Sequence, residues 1–333
     1  MRSQTAILIL AHRPAALACL LRLLDHRALA NRFRLFIHID AKTDYLAAGL
    51  RLPPQVTLIT PRLPVYWGGW SMMRATLALI EAARGHQRMI LISGDALPVR
   101  PLSEIDRLMS DMDTEYIELL EVQDDPTLVG ADPQRAIERY GWVQPWRRYN
   151  HVFWDHPLLN PMHAGAAAAR YGVAPASMDW IRGEAEHLVR EILAEIPPRA
   201  PIFERFYYGS QWWALTGATI EAMLPALRDP DIQRYFKHMQ VPDEHMIQTI
   251  LGNAKHLLTG VKRLGTPMFA DHPRRAGGID TLDLSGFRAA AASALFARKF
   301  DPAVTSDIAA LIAEGRYWQA LAGAMARSDK GAS

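Results

Sequence analysis

The sequence predicts an α/β fold with a mostly parallel sheet covered by helices on both faces, and three observations support this. Short apolar runs alternate with helical patterns through the first third of the chain, an order typical of parallel strands joined by crossover helices. The first run, at 6–10, is continuously apolar, as expected of a strand buried on both faces. Polar residues and glycines directly follow the strands, at the edge where such sheets bind ligands.

The individual elements follow from hydrophobic periodicity and from helix start and stop signals. Pro14 opens the first helix, and Pro197-Pro198 ends a later one. The predicted strands cover 6–10, 34–40, 56–59, 89–93 and 116–120. The predicted helices cover 14–25, 71–83, 104–112, 179–196, 218–227, 243–252, 285–297 and 304–327.

The composition is that of a soluble globular protein, with 50% hydrophobic and 22% charged residues in a chain of 333. A net charge of +2 gives no basic stripe, so no nucleic-acid partner is expected. The one cysteine, Cys19, permits no disulfide within the chain and favours a reducing compartment. No apolar stretch reaches the roughly 18 residues of a membrane span. We therefore expect a cytoplasmic protein, with peripheral association at the inner membrane face as an alternative.

The search for common catalytic motifs excludes several chemistries. The sequence has no phosphate-binding loop, no dinucleotide fingerprint, no His-Glu-x-x-His pair and no nucleophile elbow. Two Asp-x-Asp patterns occur, at 111–113 and 229–231. A metal would need both carboxylates at the carboxyl end of a strand. The first pair follows a helix and the second lies in a turn, so we expect no metal site.

Three segments carry residue types that suit ligand binding, and each has a structural alternative. Residues 66–71 place two glycines between tryptophans ahead of a helix. This favours close approach to a ligand or, equally, a tight turn packed by the tryptophans. Residues 208–213 offer aromatic platforms for sugar rings, or plain core packing. Residues 242–245 place acidic side chains in a first helical turn, where they are common caps.

Together these segments resemble the core-2/I-branching enzyme family of β-1,6-N-acetylglucosaminyltransferases and peptide O-xylosyltransferases. The matching pieces occur in family order between residues 5 and 301. They are Ile37 to Lys42, Tyr66 to Ser71, Leu91 to Pro98, Gly209 to Trp213, Pro242 to Glu244, and Leu295 to Asp301. Eukaryotic members have disulfides and a membrane anchor. Neither is expected here, so the chain is similar to a short bacterial-type member.

The resemblance implies a GT-A-like, Rossmann-type fold and an inverting, metal-independent transfer from a UDP-sugar of the N-acetylglucosamine or xylose type. Glu244 matches the family's general base. Asp243 could compete, but neighbouring helix residues point about 100° apart, so one of the two faces the cleft. Lys299 and Arg274 match the cations that hold the diphosphate in place of a metal, with Arg275 as an alternative to Arg274.

The resemblance also assigns the remaining contacts. Asp40 and Tyr66 match nucleotide-binding positions, and the backbone near His12 is expected to line the base. The chain departs from the family pattern Ser-Gly-x-Asp-x-Pro, because Asp95 directly follows Gly94 and an alanine takes the usual Asp position. Either the carboxylate is shifted or the acceptor differs. The candidate acceptor contacts are Asp95, Trp146, Arg147, Arg148 and Trp212.

On this resemblance, residues 1–328 form a single glycosyltransferase domain, followed by a frayed tail at 329–333. Residues 1–120 form the nucleotide-binding half, and residues 121–328 form the acceptor half with the C-terminal diphosphate-binding segment. The expected partners are a UDP-sugar donor and a glycan or lipid-linked glycan acceptor, in polysaccharide biosynthesis. Neither a cofactor nor a divalent metal is expected.

Two alternatives remain open at the level of the sequence. A non-catalytic carbohydrate-binding protein could keep the fold, although it would have no need for Glu244, Lys299 and an arginine near 274 together. A glycoside hydrolase would need a second carboxylate facing Glu244 across the scissile bond, and the sequence nominates none.

Overall fold

The computed structural model describes residues 5–25, 32–121, 202–237, 239, 241–271 and 279–322. The strands are β1 (Thr5–Ala11), β2 (Phe33–Ile39), β3 (Val56–Leu58), β4 (Arg88–Ser93), β5 (Leu97–Pro98), β6 (Thr114–Tyr116), β7 (Leu120–Glu121), β8 (Tyr207–Tyr208), β9 (Ala214–Thr216), β10 (Lys262–Leu264), β11 (Met268–Ala270) and β12 (Phe296–Arg298). The helices are α1 (Pro14–Leu24), α2 (Trp70–Ala82), α3 (Leu102–Met109), α4 (Gly217–Arg228), α5 (Pro230–Lys237), α6 (Met246–Asn253), α7 (Leu284–Ala290), α8 (Ser306–Ala313) and α9 (Tyr317–Ala322). Two 3-10 turns span Pro242–Glu244 and Lys255–Leu258.

A seven-stranded sheet in the order β10-β6-β9-β4-β1-β2-β3 forms the centre of the molecule. β1 pairs in parallel with β2 and β4, and all seven of its residues are buried, as its apolar sequence requires. β9 runs antiparallel to both β4 and β6. The strands β1, β2, β3, β4 and β6 therefore point the same way and end at one edge. The predicted α/β class with a mostly parallel sheet is confirmed.

Two hydrophobic cores support this sheet. The larger core contains the buried strands with one side of α1 and parts of α2, α4 and α6. The smaller core packs α7, α8, α9 and the end of β12 against the other side of α1, through Ala16 and Leu23. A three-stranded sheet in the order β11-β12-β5 connects the two. The smaller core thus carries the C-terminal segment to the carboxyl end of the central sheet.

The C-terminal third differs most from the sequence prediction. The helix predicted at 285–297 ends at Ala290 and is followed by a turn. β12 then begins at Phe296, because its residues pair with β11 and β5. The helix predicted at 304–327 is divided at Gly315, whose φ of 70° is incompatible with a continuous helix. The helix predicted at 243–252 begins as a 3-10 turn, and α5 was not predicted. The helix predicted at 179–196 lies outside the described residues.

A buried ion pair joins the central strands away from the carboxyl edge. Arg88 and Glu115 have 0% and 1% exposed side chains, and Arg88 Nη1 lies 3.5 Å from Glu115 Oε2. Arg88 Nε donates to the carbonyl of Met109 at 2.9 Å. Glu115 accepts bonds from the amide and hydroxyl of Thr216, at 2.8 and 2.7 Å. The pair thereby fastens the α3–β6 connection to β9 and to the start of α4.

No helix within the described ranges has both the length and the apolar character needed to cross a membrane.

We expect Glu115→Ala to lower the free energy of unfolding by about 3–5 kcal/mol, because it leaves the Arg88 charge buried without its partner. Urea unfolding at pH 7 measures this loss. The control is Glu221→Ala, which breaks the exposed pair with Arg84 and should cost less than about 1 kcal/mol. Equal losses in the two variants would contradict the structural role of the buried pair.

Candidate functional site

Acidic side chains follow three of the parallel strands at the same edge of the sheet. Asp40 directly follows β2, Asp95 follows β4 by two residues, and Glu118 follows β6 by two residues. Sheets of this class bind ligands at the carboxyl edge of their strands. The edge therefore brings together residues from three separate parts of the sequence.

Asp40 is buried and organises the loop beside it. Its Oδ2 lies 2.6 Å from Lys42 Nζ, and its Oδ1 accepts bonds from the amides of Lys42 at 2.9 Å and Val65 at 3.3 Å. Lys42 Nζ also donates to the Val65 carbonyl and lies 4.5 Å from the centre of the Tyr66 ring. The two predicted nucleotide contacts, Asp40 and Tyr66, are thus held on one unit by a shared lysine.

The turn after Tyr66 fixes the start of α2 and reaches across to a second segment. The amide of Tyr66 donates to Ser71 Oγ at 2.8 Å. Gly68 has a φ of 76°, a conformation that favours glycine. Its carbonyl accepts a bond from the amide of Val241 at 2.7 Å. The Gly-Gly segment predicted to approach a ligand is therefore attached to the segment that carries Glu244.

Glu244 lies in a short, constrained turn. Val241 precedes this turn with φ 48° and ψ 56°, a left-handed conformation that costs energy for a β-branched residue. Its neighbours hold it there: its amide is bonded to Gly68 and its carbonyl accepts from the Glu244 amide at 3.0 Å. Asp243 is 7% exposed, whereas Glu244 is only half-buried. Of the two adjacent carboxylates, Glu244 is the more accessible.

The segment from Gly209 to Trp213 packs against the Glu244 turn. The amide of Gly209 donates to the Glu244 carbonyl at 3.0 Å. The next amide, of Ser210, donates to Glu118 Oε2 at 2.8 Å. Trp213 is fully buried in the main core, so this tryptophan packs in the core and offers no platform for a sugar ring. Trp212 is also buried, and its carbonyl accepts a bond from Thr266 Oγ1 at 3.0 Å.

Asp95 forms a buried ion pair with Arg298 at the end of β12. Arg298 Nε lies 3.2 Å from Asp95 Oδ1, and Nη2 lies 3.4 Å from Oδ2. Ser93 Oγ also donates to the carboxylate, and the Arg298 guanidinium lies 5.3 Å from the centre of the Trp212 ring. Burial alone would raise the pKa of Asp95, but the charge of Arg298 and these hydrogen bonds together hold it below its usual value. The acceptor contacts of Asp95 and Trp212 stay predictions; their observed partner is Arg298.

Lys299 follows this pair and is half-buried. Its amide donates to the Asp280 carbonyl at 3.3 Å, and its carbonyl accepts from the Leu282 amide at 2.9 Å. Burial lowers the pKa of the Lys299 ammonium, and the charge of Arg13 acts in the same direction while Asp95 opposes it. Arg13 pairs with Asp301 at 2.7 Å, but no carboxylate within the described ranges pairs with Lys299. A bound anion would stabilise such an ammonium.

The two Asp-x-Asp pairs make local contacts. Asp111 accepts bonds from the Asp113 amide and the Thr114 hydroxyl, at 3.1 and 2.8 Å. Asp229 accepts from the Asp231 amide at 2.8 Å at the start of α5. Across the described part of the chain, no group of three or more His, Cys, Asp or Glu side chains is arranged to hold a metal ion.

Several predicted site residues lie outside the described residues. They are Arg274, its alternative Arg275, Trp146, Arg147 and Arg148. Sequence reasoning in turn missed Arg298 and Glu118. Arg298 stands beside Lys299 in the matching segment. Glu118 lies inside the strand predicted at 116–120, whereas in the structure β6 ends at Tyr116 and Glu118 follows it. The sequence therefore carries no signal that Glu118 lies at the ligand edge, and its contact with Ser210 depends on the tertiary fold.

Comparison with known protein families indicates the class of enzyme. Residues 6–136 match a family model of glycosyltransferases, in agreement with an α/β sheet whose carboxyl edge carries the candidate site. That model is Core-2/I-Branching enzyme, and it confirms the family resemblance predicted from the sequence. The matched range includes Asp40, Tyr66 and Asp95, whereas Glu244 and Lys299 lie beyond it.

The chain is also similar to a Bacillus anthracis protein described as a glucose-1-phosphate thymidylyltransferase, solved in complex with a sucrose. The identity is 12%, the TM-score is 0.33, and the likeness covers 79% of this chain and 87% of the other. No curated protein matches the chain.

We expect Asp95→Asn to lower the free energy of unfolding by about 2–3 kcal/mol at pH 7, because it removes the charge that compensates the buried guanidinium. The folded-state pKa of Asp95 is depressed. Its stabilisation is therefore present above the unfolded pKa of about 3.9 and is lost as the pH falls through the folded value. Urea unfolding from pH 7 to pH 3 should show the two proteins converging at the acid end. A constant difference over this range would contradict the assignment.

Proposed function

We propose that this protein is an inverting, metal-independent glycosyltransferase that moves a sugar from a UDP-sugar to a hydroxyl group of a glycan acceptor. The observation that supports this best is the Glu244 turn. It presents a half-buried carboxylate and is tied by main-chain bonds to both the Gly68 turn and Gly209. Such pre-organisation is what a general base requires. The family match supports the class of enzyme.

Glu244 acts as the general base in this proposal. Its carboxylate accepts the proton of the acceptor hydroxyl while that oxygen forms a bond to the anomeric carbon. The bond from the same carbon to the UDP oxygen breaks, and its electron pair leaves with UDP. A single displacement of this kind inverts the anomeric centre and forms no covalent enzyme intermediate. Asp243 is more buried than Glu244, which favours Glu244 over its neighbour.

Lys299, together with Arg274, neutralises the charge that develops on the leaving diphosphate. A fixed cation aimed at a developing negative charge lowers the barrier without a metal ion. Two neighbouring cations already have carboxylate partners, since Arg298 is paired with Asp95 and Arg13 with Asp301. Lys299 is therefore the cation of this cluster best suited to a ligand.

Asp40 and Tyr66 bind the nucleotide in this proposal, and Lys42 keeps both in place. The acceptor lies against the aromatic and basic residues of the second half, with Trp146, Arg147, Arg148, Trp212 and the shifted Asp95 as candidates. We propose N-acetylglucosamine or xylose as the donor sugar. The assay is transfer to a glycan acceptor, or hydrolysis of the donor, with UDP-N-acetylglucosamine, UDP-xylose, UDP-glucose and UDP-galactose.

We expect Glu244→Gln to reduce kcat about a hundredfold or more, since a missing general base typically costs that much. UDP affinity measured by calorimetry should be unchanged, because the amide keeps the size of the carboxylate. The control is Glu221→Gln, at an exposed carboxylate on α4. Wild-type turnover by Glu244→Gln would disprove the base assignment. No detectable binding of UDP by the wild-type protein in calorimetry would instead favour a carbohydrate-binding protein.

We expect Lys299→Met to reduce kcat/KM for the donor about a hundredfold or more, because it removes the charge that stabilises the leaving diphosphate. The matched control is Lys255→Met, at an exposed lysine after α6.

The wild-type rate should be the same with and without EDTA. Loss of activity in EDTA that added magnesium or manganese restores would contradict the metal-independent mechanism.

A further inference from the structure

Glu118 is a carboxylate at the ligand edge that neither the sequence motifs nor the proposed mechanism uses. It lies just past β6, where the amide of the preceding residue, Ile117, donates to the Leu264 carbonyl at 3.0 Å. β6 therefore continues its pairing with β10 up to the residue before Glu118. The Glu118 side chain is half-buried. A rigid strand thus delivers this carboxylate to the same edge as Asp40 and Asp95.

The contacts of Glu118 lead directly to Glu244. Glu118 Oε2 accepts the Ser210 amide at 2.8 Å, and the amide of the preceding residue, Gly209, donates to the Glu244 carbonyl at 3.0 Å. Gly209 also packs so closely that a Cβ there would overlap the Glu118 carbonyl oxygen. Two consecutive amides therefore connect Glu118 to the peptide of Glu244.

The same loop is held from the other side by α6. Gln248 Nε2 donates to the Ser210 carbonyl at 2.8 Å, and Thr249 Oγ1 donates to the Tyr207 carbonyl at 3.0 Å. These bonds fix the carbonyl side of the loop, whereas Glu118 fixes the amide side. Without Glu118, the Ser210 amide would lose its partner and the Gly209 amide would be free to shift away from Glu244.

We propose that Glu118 is a positioning residue for the Glu244 base, acting through the amides of Ser210 and Gly209. This inference rests on the proposed function of Glu244. The proposal requires an acceptor oxygen at position 118 and does not require the negative charge. Displacement of a catalytic group by about 1 Å can cost about a hundredfold in rate, so the effect should appear in kcat.

The test compares Glu118→Gln with Glu118→Ala. Glutamine keeps an oxygen that can accept the Ser210 amide, so Glu118→Gln should stay within about threefold of the wild-type kcat. Alanine removes that oxygen, so Glu118→Ala should lower kcat by at least about tenfold. The KM for the donor and the UDP affinity should stay within about twofold in both variants, which also shows that both are folded. The control is Glu104→Ala, whose carboxylate pairs with Arg100 on the surface.

Wild-type kcat in Glu118→Ala would overturn the proposal. Equal loss of kcat and UDP affinity would also overturn it, because such a result indicates general disruption of the fold. The double variant Glu118→Ala with Glu244→Gln tests whether the two residues act together, and the two single variants separate failure of the positioning role from failure of the proposed function. If Glu118 acts through Glu244, the double variant should be no slower than Glu244→Gln alone, because the two residues work as one unit. If Glu244→Gln keeps turnover while Glu118→Ala does not, the base assignment fails and the positioning role fails with it. If Glu244→Gln is inactive while Glu118→Ala is fully active, only the positioning role fails.

Discussion

The ion pair between Asp95 and Arg298 joins the two parts of the molecule that the candidate site needs. Asp95 stands at the end of β4 in the central sheet, and Arg298 ends β12 in the C-terminal segment. The amide of Phe300 also donates to the Asp95 carbonyl at 2.8 Å, so side chain and backbone act together. Removing two charges from water is costly. Here the cost is offset by two-point contact with the guanidinium and by Ser93. Lys299 lies between the two attachment points, so its place follows from this pair.

The central sheet could be predicted from the sequence because the signals for its strands lie within short stretches of the chain. The residues of β1 after Thr5 are all apolar, and α1 begins at a proline, so each signal falls within a few neighbouring residues. The C-terminal strand β12 has no such signal. It is only three residues long, and in the sequence these residues look like part of the alanine-rich helix that precedes them. Its conformation comes from pairing with β11 and β5. Tertiary contacts decide short elements of this kind.

The residues of the candidate site divide in the same way, into those with a local signal in the sequence and those that depend on contacts between distant segments. Glu244 and Lys299 could be nominated from short segments, because the residue types and their order resemble a known family. The roles of Asp95 and Glu118 could not, because Asp95 meets a partner 203 positions away and Glu118 one 92 positions away. The conformation of Val241 also has no sequence signal, since valine is among the residues least suited to the left-handed region. Contacts between distant segments impose it.

The smaller core gives the C-terminal segment a stability of its own. Its apolar residues surround α7, α8 and α9, and they meet the rest of the protein along one side of α1 and at Leu97 and Val99. Local opening requires less free energy where less apolar surface is buried. Loss of apolar contacts in this core is therefore expected to loosen the segment that carries Lys299 before it unfolds the seven-stranded sheet. A ligand that binds only the closed form draws this equilibrium toward closure. If Lys299 holds the donor as proposed, substitutions in the small core would weaken donor binding without contacting the site.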